Sequence, residues 1–398
     1  MKFSKILAIS ASAVVLAAAG TAGAQDADPI TIAHVYGKTG ALEAYATQSH
    51  NGLMLGLEYY TDGTMEIAGR PIEVIEKDTQ LQPDIGRALL AEAYGDDEVD
   101  LAVGGVSSGV ALAMLPVAEE YGKIFIVEPA VADSITGENW NRYIFRTGRN
   151  SSQDAVANAV ALGQDGVKIA TLAQDYAFGR DGVAAFREAL EGTGAELVFE
   201  EYAPQDTTDF TAHAQRIFDA LEGEEGRKVI FVIWAGGGNP LGKIQDMDPA
   251  RLDIELATGG NILPALVAYR DFPGMEGATY YYYENPQNPI NDWLVEEHQA
   301  RFDGPPDFFT AGGFAAAGAV VAALEATGGD TDTETLISTM EGMSWDTPKG
   351  AMTFRPEDHQ AMQDMFHFRI EVQDGVEWGV PALVEVIEAQ EMDIPVRN

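Results

Sequence analysis

The chain contains no cysteine among its 398 residues. That absence excludes disulfides, thiolate metal ligands and a cysteine nucleophile at once. It also excludes the lipidated cysteine that tethers many exported bacterial proteins. Without disulfide bonds, a chain of this size must be stabilised by a large apolar core, and a hydrophobic content of 46% can supply one.

Basic residues are scarce, because 24 lysines and arginines stand against 63 acidic residues and give a net charge of −39. Removal of the first 24 residues takes away Lys2 and Lys5, and 22 minus 63 leaves −41. A surface of this sign repels nucleic acid and anionic lipid. Neither is therefore expected as a partner.

The N-terminal segment has the three parts of a secretory signal peptide. Lys2 and Lys5 precede the apolar run 6–19, which ends at the small residues Ala22-Gly23-Ala24. The alternative, a membrane anchor, is disfavoured because the run is shorter than the roughly 20 strongly apolar residues that a spanning helix needs. We expect cleavage near Ala24, a location in the periplasm, and no membrane-spanning stretch later in the chain.

Strand and helix patterns alternate after the signal peptide and then restart near residue 151, which is typical of parallel βαβ units. The predicted fold class is α/β, with two doubly wound parallel-sheet lobes joined by a hinge. We assign residues 28–147 plus 276–350 to lobe 1 and residues 148–275 plus 351–398 to lobe 2. Residues 278–283, a run of tyrosines, and residues 376–378 are predicted as strands.

Three loops follow predicted strands, at the end of the sheet where ligands bind in open parallel folds. The first is Gly104-Gly105-Val106-Ser107-Ser108-Gly109, which opens a helix and could hold an anion with hydroxyl and backbone N–H groups. Capping of the helix by Ser107 explains the same residues and is compatible with anion binding. The other loops are 128–132 and the glycine-rich 235–240.

The first loop also matches G-x-S-x-G, the nucleophile elbow of serine hydrolases. A secreted hydrolase using Ser107 would need an acid and a histidine later in the chain, and the histidines at 213, 298, 359 and 367 have no convincing partner loop. We therefore predict no catalytic residues. Nucleotide-binding and metal-binding spacings do not occur either, so no cofactor or metal is expected.

The order and spacing of these segments resemble the branched-chain amino-acid (leucine/isoleucine/valine) binding proteins of ABC transporters, which have the type I periplasmic binding fold. The resemblance covers the whole chain after the signal peptide and is strongest in Leu101 to Thr147. It implies a non-enzymatic protein that captures a small solute between two lobes and delivers it to a membrane permease. A monomer is expected. A sensory receptor module of the same fold is the alternative.

The resemblance also implies site residues. Ser107 and Ser108 match positions that hold a ligand carboxylate, and Ala130 matches a carbonyl that meets the α-ammonium. Ala132 falls where a threonine usually adds a hydroxyl, so only its backbone N–H is expected to contribute. The walls are expected from Tyr45, Phe178, Trp234 and the Gly259 region.

The chain departs from the family pattern near Gly259, where amino-acid binders carry a glutamate that pairs with the ammonium. A buried ammonium without a countercharge is costly. The ligand classes that stay open are a hydrophobic amino acid, an amide, and an aromatic or aliphatic carboxylate. Glu43 or Glu128 could replace the missing acid.

Overall fold

The computed structural model describes residues 28–398, so the predicted signal peptide and its cleavage site lie outside the described residues. The first lobe is built on a six-stranded sheet of order β2-β3-β1-β4-β5-β6, parallel except for the short β2. The elements are β1 (Ile30–Tyr36), α1 (Glu43–Tyr60), β2 (Glu66–Ile67), β3 (Arg70–Asp78), α2 (Pro83–Gly95), β4 (Leu101–Gly104), α3 (Ser108–Tyr121), β5 (Phe125–Val127) and β6 (Ile144–Arg146).

The second lobe is built on a four-stranded parallel sheet of order β10-β9-β7-β8. Its elements are α4 (Ser151–Leu162), β7 (Lys168–Gln174), α5 (Ala177–Ala189), β8 (Glu196–Ala203), α6 (Thr211–Glu222), β9 (Lys228–Ile233), α7 (Leu241–Gln245), β10 (Ile254–Thr258) and α8 (Leu263–Tyr269). The prediction of two doubly wound lobes is confirmed.

The remaining elements complete both lobes. They are β11 (Glu276–Thr279), α9 (Pro289–Phe302), α10 (Phe308–Ala326), α11 (Thr333–Met340), β12 (Ser344–Thr347), β13 (Gly350–Phe354), β14 (Ala361–Met362), β15 (Met365–Glu371) and β16 (Val380–Ile387). Strands β12, β13 and β14 form one antiparallel sheet, and β11, β15 and β16 form another.

The division of the chain between the lobes stays a prediction, and the packing argues for moving two of its boundaries. Met352 and Phe354 lie in the core of the first lobe beside α10, although the predicted boundary at 350/351 puts them in the second. Strand β11 pairs with β15, whose Phe368 packs in the core of the second lobe. We propose that the chain crosses from the second lobe to the first after β11 and back to the second after β14.

Two predicted strands are wrong. The tyrosine run predicted as part of a strand over 278–283 is mostly loop, because β11 ends at Thr279, opposite Phe366 near the start of β15, and finds no partner beyond it. Residues 376–378 lie in the turn region before β16, which begins at Val380.

Helix α10 corrects the expectation that no later stretch reaches spanning length. It is long and apolar enough to cross a membrane by length and composition. Nearly all of it is buried against α1 and the strands of the first lobe, so its apolar character belongs to a protein core.

Candidate functional site

A cavity of about 110 Å³ lies between the two lobes. Sheet topology explains its position, because the strand order reverses between β1 and β4 in the first lobe and between β7 and β9 in the second. Ligands bind outside the carboxyl ends of strands at such switch points. Loops after all four strands reach the cavity, with Leu42 and Val106 from the first lobe and Tyr176 and Ala235 from the second.

The lobes are closed over this cavity. The Tyr45 hydroxyl of α1 donates to Asn261 Oδ1 at 2.9 Å and accepts from the Gly236 N–H at 2.8 Å. Asp307, at the start of α10, accepts from the N–H of Leu263 in the second lobe at 2.8 Å. These bonds join residues that must separate when a ligand enters.

Six of the eight predicted site residues line the cavity, namely Tyr45, Ser108, Ala130, Phe178, Trp234 and Gly259. Ser107 and Ala132 do not. The Ala132 N–H, predicted to face the ligand, donates instead to Ser108 Oγ at 3.2 Å and is fully buried. Ala132 therefore holds the Ser108 side chain, whose hydroxyl hydrogen is left for another acceptor.

Ser107 is the residue before α3, but its side chain makes no capping hydrogen bond. Capping by Ser107 is thus wrong for this structure, and the first N–H groups of α3 are not occupied by it. The turn itself depends on Gly104, which has φ 151°, and whose added Cβ would lie 2.0 Å from the Val35 carbonyl oxygen. Only glycine lets β4 end this close to β1.

An arginine–aspartate pair in the cavity wall is the feature that sequence reasoning missed. Arg149 Nε donates to Asp154 Oδ1 at 2.8 Å, and both residues line the cavity. Between them, Asn150 and Gln153 form a capping box at the start of α4, with bonds of 2.7 and 3.0 Å. The capping box fixes the turn that places the two charges together. In the sequence, the spacing of Asn150 and Gln153 was the signal that could have located this turn.

The Arg149 guanidinium lies close to two aromatic rings that contact each other, with ring centroids 4.1 Å apart. Its Cζ lies 4.8 Å from the centroid of Tyr280 and 4.9 Å from that of Phe308, within cation–π range. Among residues 28–398, no side chain or carbonyl accepts a hydrogen bond from its two terminal nitrogens. Burial opposes its charge, but the Asp154 carboxylate keeps the pKa of Arg149 above its ordinary value.

Asp154 is the only acid among the cavity-lining residues of the described chain. Burial raises its pKa, and the Arg149 charge acts in the opposite direction. The acids proposed from the sequence as substitutes are placed elsewhere. Glu43 is exposed on the surface, and Glu128 is buried behind the wall, where it accepts from the Thr147 hydroxyl at 3.1 Å.

The rest of the wall is apolar. Aromatic side chains from both lobes face the cavity, and Phe309 packs against Tyr45 with ring centroids 4.5 Å apart. A cavity of about 150 Å³ holds a benzene ring. At about 110 Å³ this cavity is somewhat smaller, so it is suited to a ligand with a short aliphatic body and a polar head, and a ring requires a small outward movement of the walls.

The comparisons with known proteins agree with this architecture. The family model described as periplasmic binding protein matches residues 29–375. Leu/Ile/Val-binding protein homolog 6 of Brucella melitensis is 27% identical over 321 residues, which cover 77% of this chain and 80% of the relative.

Two solved structures from Rhodopseudomonas palustris are similar over their whole lengths. One, described as an ABC-type branched-chain amino acid transporter, is 66% identical, with a TM-score of 0.83 over 93% of this chain and 99% of the other. The second, a solute binding protein in complex with 3,4-dihydroxy benzoic acid, is 28% identical, with a TM-score of 0.80 over 93% and 100%.

The resemblance to the branched-chain amino-acid binding proteins is thereby confirmed, and a family of non-enzymatic periplasmic proteins gives the serine hydrolase alternative no support. The chain belongs to the periplasmic binding protein family, whose members bind small ligands for ABC transporters.

Proposed function

We propose that this protein captures a small carboxylate with an aromatic or aliphatic body in the periplasm and presents it, as a monomer, to an ABC permease. The observation that carries the proposal is Arg149, a charged guanidinium in the cavity wall that uses only its Nε on Asp154. A carboxylate is the group that matches the remaining paired donors. The apolar wall accounts for the body of the ligand.

At the part of the cavity wall where Arg149 lies, hydrogen-bond donors outnumber acceptors. Arg149 offers four further N–H bonds, Ser108 offers its hydroxyl hydrogen, and the first turn of α3 offers backbone N–H groups with the positive end of the helix dipole. An uncharged amide would satisfy fewer of these donors. Buried donors without partners cost free energy, so a carboxylate is favoured over an amide.

A second candidate is a hydrophobic amino acid, and the position of Asp154 favours it. Among the described residues, only Arg149 binds this carboxylate, through one oxygen. The second oxygen could accept an α-ammonium, and Asp154 would then replace the glutamate that is missing near Gly259. The Rhodopseudomonas palustris relatives support both candidates, since one is described as a branched-chain amino acid transporter and the other holds a dihydroxybenzoate.

Matched ligand pairs separate the candidates. Calorimetry should compare phenylpyruvate with phenylalanine, 4-methyl-2-oxopentanoate with leucine, and benzoate with benzamide. We expect at least one carboxylate without an ammonium to bind more tightly than its amino-acid or amide partner. A consistent preference for the amino acids, abolished in Asp154→Asn, would establish the second candidate instead.

The Arg149→Gln variant tests the head group itself. Loss of a charged hydrogen-bonding partner is worth about 1.5–3 kcal/mol, so the affinity for the best carboxylate should fall about 10- to 150-fold. Asp154→Asn is the matched control, because it removes the neighbouring charge and leaves the guanidinium. Equal binding of benzoate by wild type and Arg149→Gln would contradict a role for Arg149 in carboxylate recognition.

A further inference from the structure

The C-terminal segment 392–398 packs on the first lobe. Arg355 of the first lobe donates to the carbonyl oxygens of Ile394 and Pro395 at 2.6 and 3.2 Å, while Met392 and Ile394 are buried in a cluster that contains residues of both lobes. Arg355 is itself held by Asp358, three residues further along the chain. We call residues 392–398 the C-terminal strap.

Arg397, next to the last residue of the strap, contacts both lobes. Its Nε lies 3.2 Å from Asp133 Oδ2, in the short 3₁₀ turn of the first lobe, and its Nη2 lies 2.5 Å from Glu188 Oε2 on α5 of the second lobe. The N–H of Ser134 also donates to Asp181 of α5, at 2.9 Å. Helix α5 of the second lobe is thus tied to the first lobe outside the ligand cavity, and Arg397 Nη2 also lies 3.4 Å from Ser152 Oγ on α4.

Helix α5 separates this contact from the ligand cavity. Phe178, Gly182 and Phe186 face the cavity, whereas Asp181 and Glu188 line an open crevice on the other side, together with Arg397. Opening of the lobes has to carry the cavity wall on α5 away from the first lobe. The same movement separates Glu188 from Arg397, because the strap stays with Arg355.

We propose that Arg397 is a positioning residue for lobe closure: its ion pair with Glu188 exists only in the closed form and shifts the open–closed equilibrium towards closure. The inference goes beyond the proposed function, since it concerns a contact that no ligand touches. It needs no ligand for its test, so it can fail while the proposed function stands.

The size of the effect follows from exposure. The side chains of Arg397 and Glu188 are 33% and 50% exposed. Ion pairs of this kind change an equilibrium by about two- to five-fold and are screened by salt. A closed population that falls as salt rises is therefore the characteristic signature, and a residue with a merely structural role would not produce it.

The proposal can be tested with two spin labels. Because the chain has no cysteine, the labels can be attached without removing any native thiol. Glu43→Cys at the start of α1 and Thr208→Cys in the loop after β8 lie on opposite lobes and are exposed. Electron–electron distance measurements on the ligand-free full-length protein then give the ratio of closed to open populations, at low salt and at about 1 M salt.

We expect Glu188→Gln and Arg397→Gln each to lower the closed-to-open ratio about two- to five-fold at low salt and to lose most of the salt response. The double variant should match the single variants, because they break one pair. Glu191→Gln is the control, since it removes the same charge just beyond α5, where no described residue pairs with it. It should behave as wild type.

Three results would overturn the proposal. The first is a wild-type protein without a closed population at low salt. The second is a pair of single variants whose distances and salt response equal those of wild type. The third is an additive effect in the double variant, which would mean that Glu188 and Arg397 act separately. Melting temperatures of all variants verify that each remains folded.

Discussion

At the scale of the residue, the two adjacent serines of the first loop have different surroundings. Ser108 lines the cavity and is oriented by the Ala132 N–H, whereas Ser107 lies outside the lining and makes no capping bond. The sequence motif gives both serines the same weight. Only the direction of the first turn of α3 separates them, and that direction is a property of the folded backbone.

We predict that Ser108→Ala lowers ligand affinity and that Ser107→Ala does not. A hydrogen bond to a charged group contributes about 1.5–3 kcal/mol, so the dissociation constant for the best carboxylate should rise about 10- to 150-fold in Ser108→Ala. Calorimetric titration of both variants measures this directly. An equal loss in the two variants would show that the loop binds the ligand in another way.

His34 is a buried titratable group unrelated to the cavity. It stacks on Tyr36, its Nδ1 lies 3.1 Å from that of His50, and Glu76 is the nearby acid. Burial and the neighbouring His50 lower the pKa of His34 to about 3, and Glu76 opposes this only in part. Between pH 6.5 and about 3, His34 is therefore protonated in the unfolded chain and neutral in the folded chain.

That difference predicts a loss of stability as the pH falls through this range. The unfolded state binds more protons, so the free energy of unfolding decreases with falling pH, by up to about 5 kcal/mol for a shift of this size. Urea unfolding at several pH values should give a shallower slope for His34→Gln than for wild type. Parallel slopes would mean that His34 is protonated in the folded protein.

At the scale of the element, helices were predicted more accurately than the late strands. The sequence pattern predicts helices over residues 43–60, 108–121 and 151–162, and the structure has helices with these bounds, because the 3.6-residue pattern is local. The tyrosines 280–283 have high strand propensity, yet strand formation needs a partner, and β15 extends only one residue beyond Phe366, to Met365. Which strands pair is decided by parts of the chain far away in sequence.

The contact between α1 and α10 depends on glycine. A Cβ added to Gly52 would lie 2.0 Å from the Thr310 carbonyl oxygen, closer than atoms can approach. We predict that Gly52→Ala destabilises the protein by at least about 1–3 kcal/mol, the usual cost of overpacking. Urea unfolding at neutral pH measures the change.

Gly242→Ala is the matched control for this substitution. Gly242 is exposed in the helix α7, and nothing lies within 4 Å of its added Cβ. Alanine is favoured over glycine in helices by about 0.5–1 kcal/mol, so this variant should be as stable as wild type or slightly more stable. Similar losses in both variants would contradict the tight helix contact.

At the scale of the whole molecule, the sequence predicted two lobes and six residues of the cavity lining, but not its charges. Arg149 precedes α4 and Asp154 lies in its first turn, beside the crossing into the second lobe, and the helix pattern does not show which of these charged side chains face a cavity. They reach the cavity because α4 begins there and the second lobe folds back over the first. The pair itself forms locally, but its position in a wall shared by both lobes depends on how the lobes meet, and a local pattern does not show that.

Closure itself is testable through Tyr45, whose ring lines the cavity and whose hydroxyl joins the lobes. Tyr45→Phe keeps the ring and removes both hydrogen bonds between the lobes, to Asn261 and to Gly236. At about 0.5–1.5 kcal/mol for each of the two bonds, the dissociation constant should rise about 5- to 150-fold for every ligand.

Since the bonds exist only in the closed form, the change should appear in the dissociation rate rather than in the association rate. Stopped-flow displacement of a bound ligand measures it. Tyr176→Phe is the control for loss of a tyrosine hydroxyl that joins no lobes, because Tyr176 lines the same cavity and its hydroxyl bonds to no other described residue. If Tyr45→Phe releases its ligand as slowly as Tyr176→Phe, the Tyr45 hydrogen bonds do not hold the lobes together. Retention of the ligand must then depend on the contacts of the ligand alone.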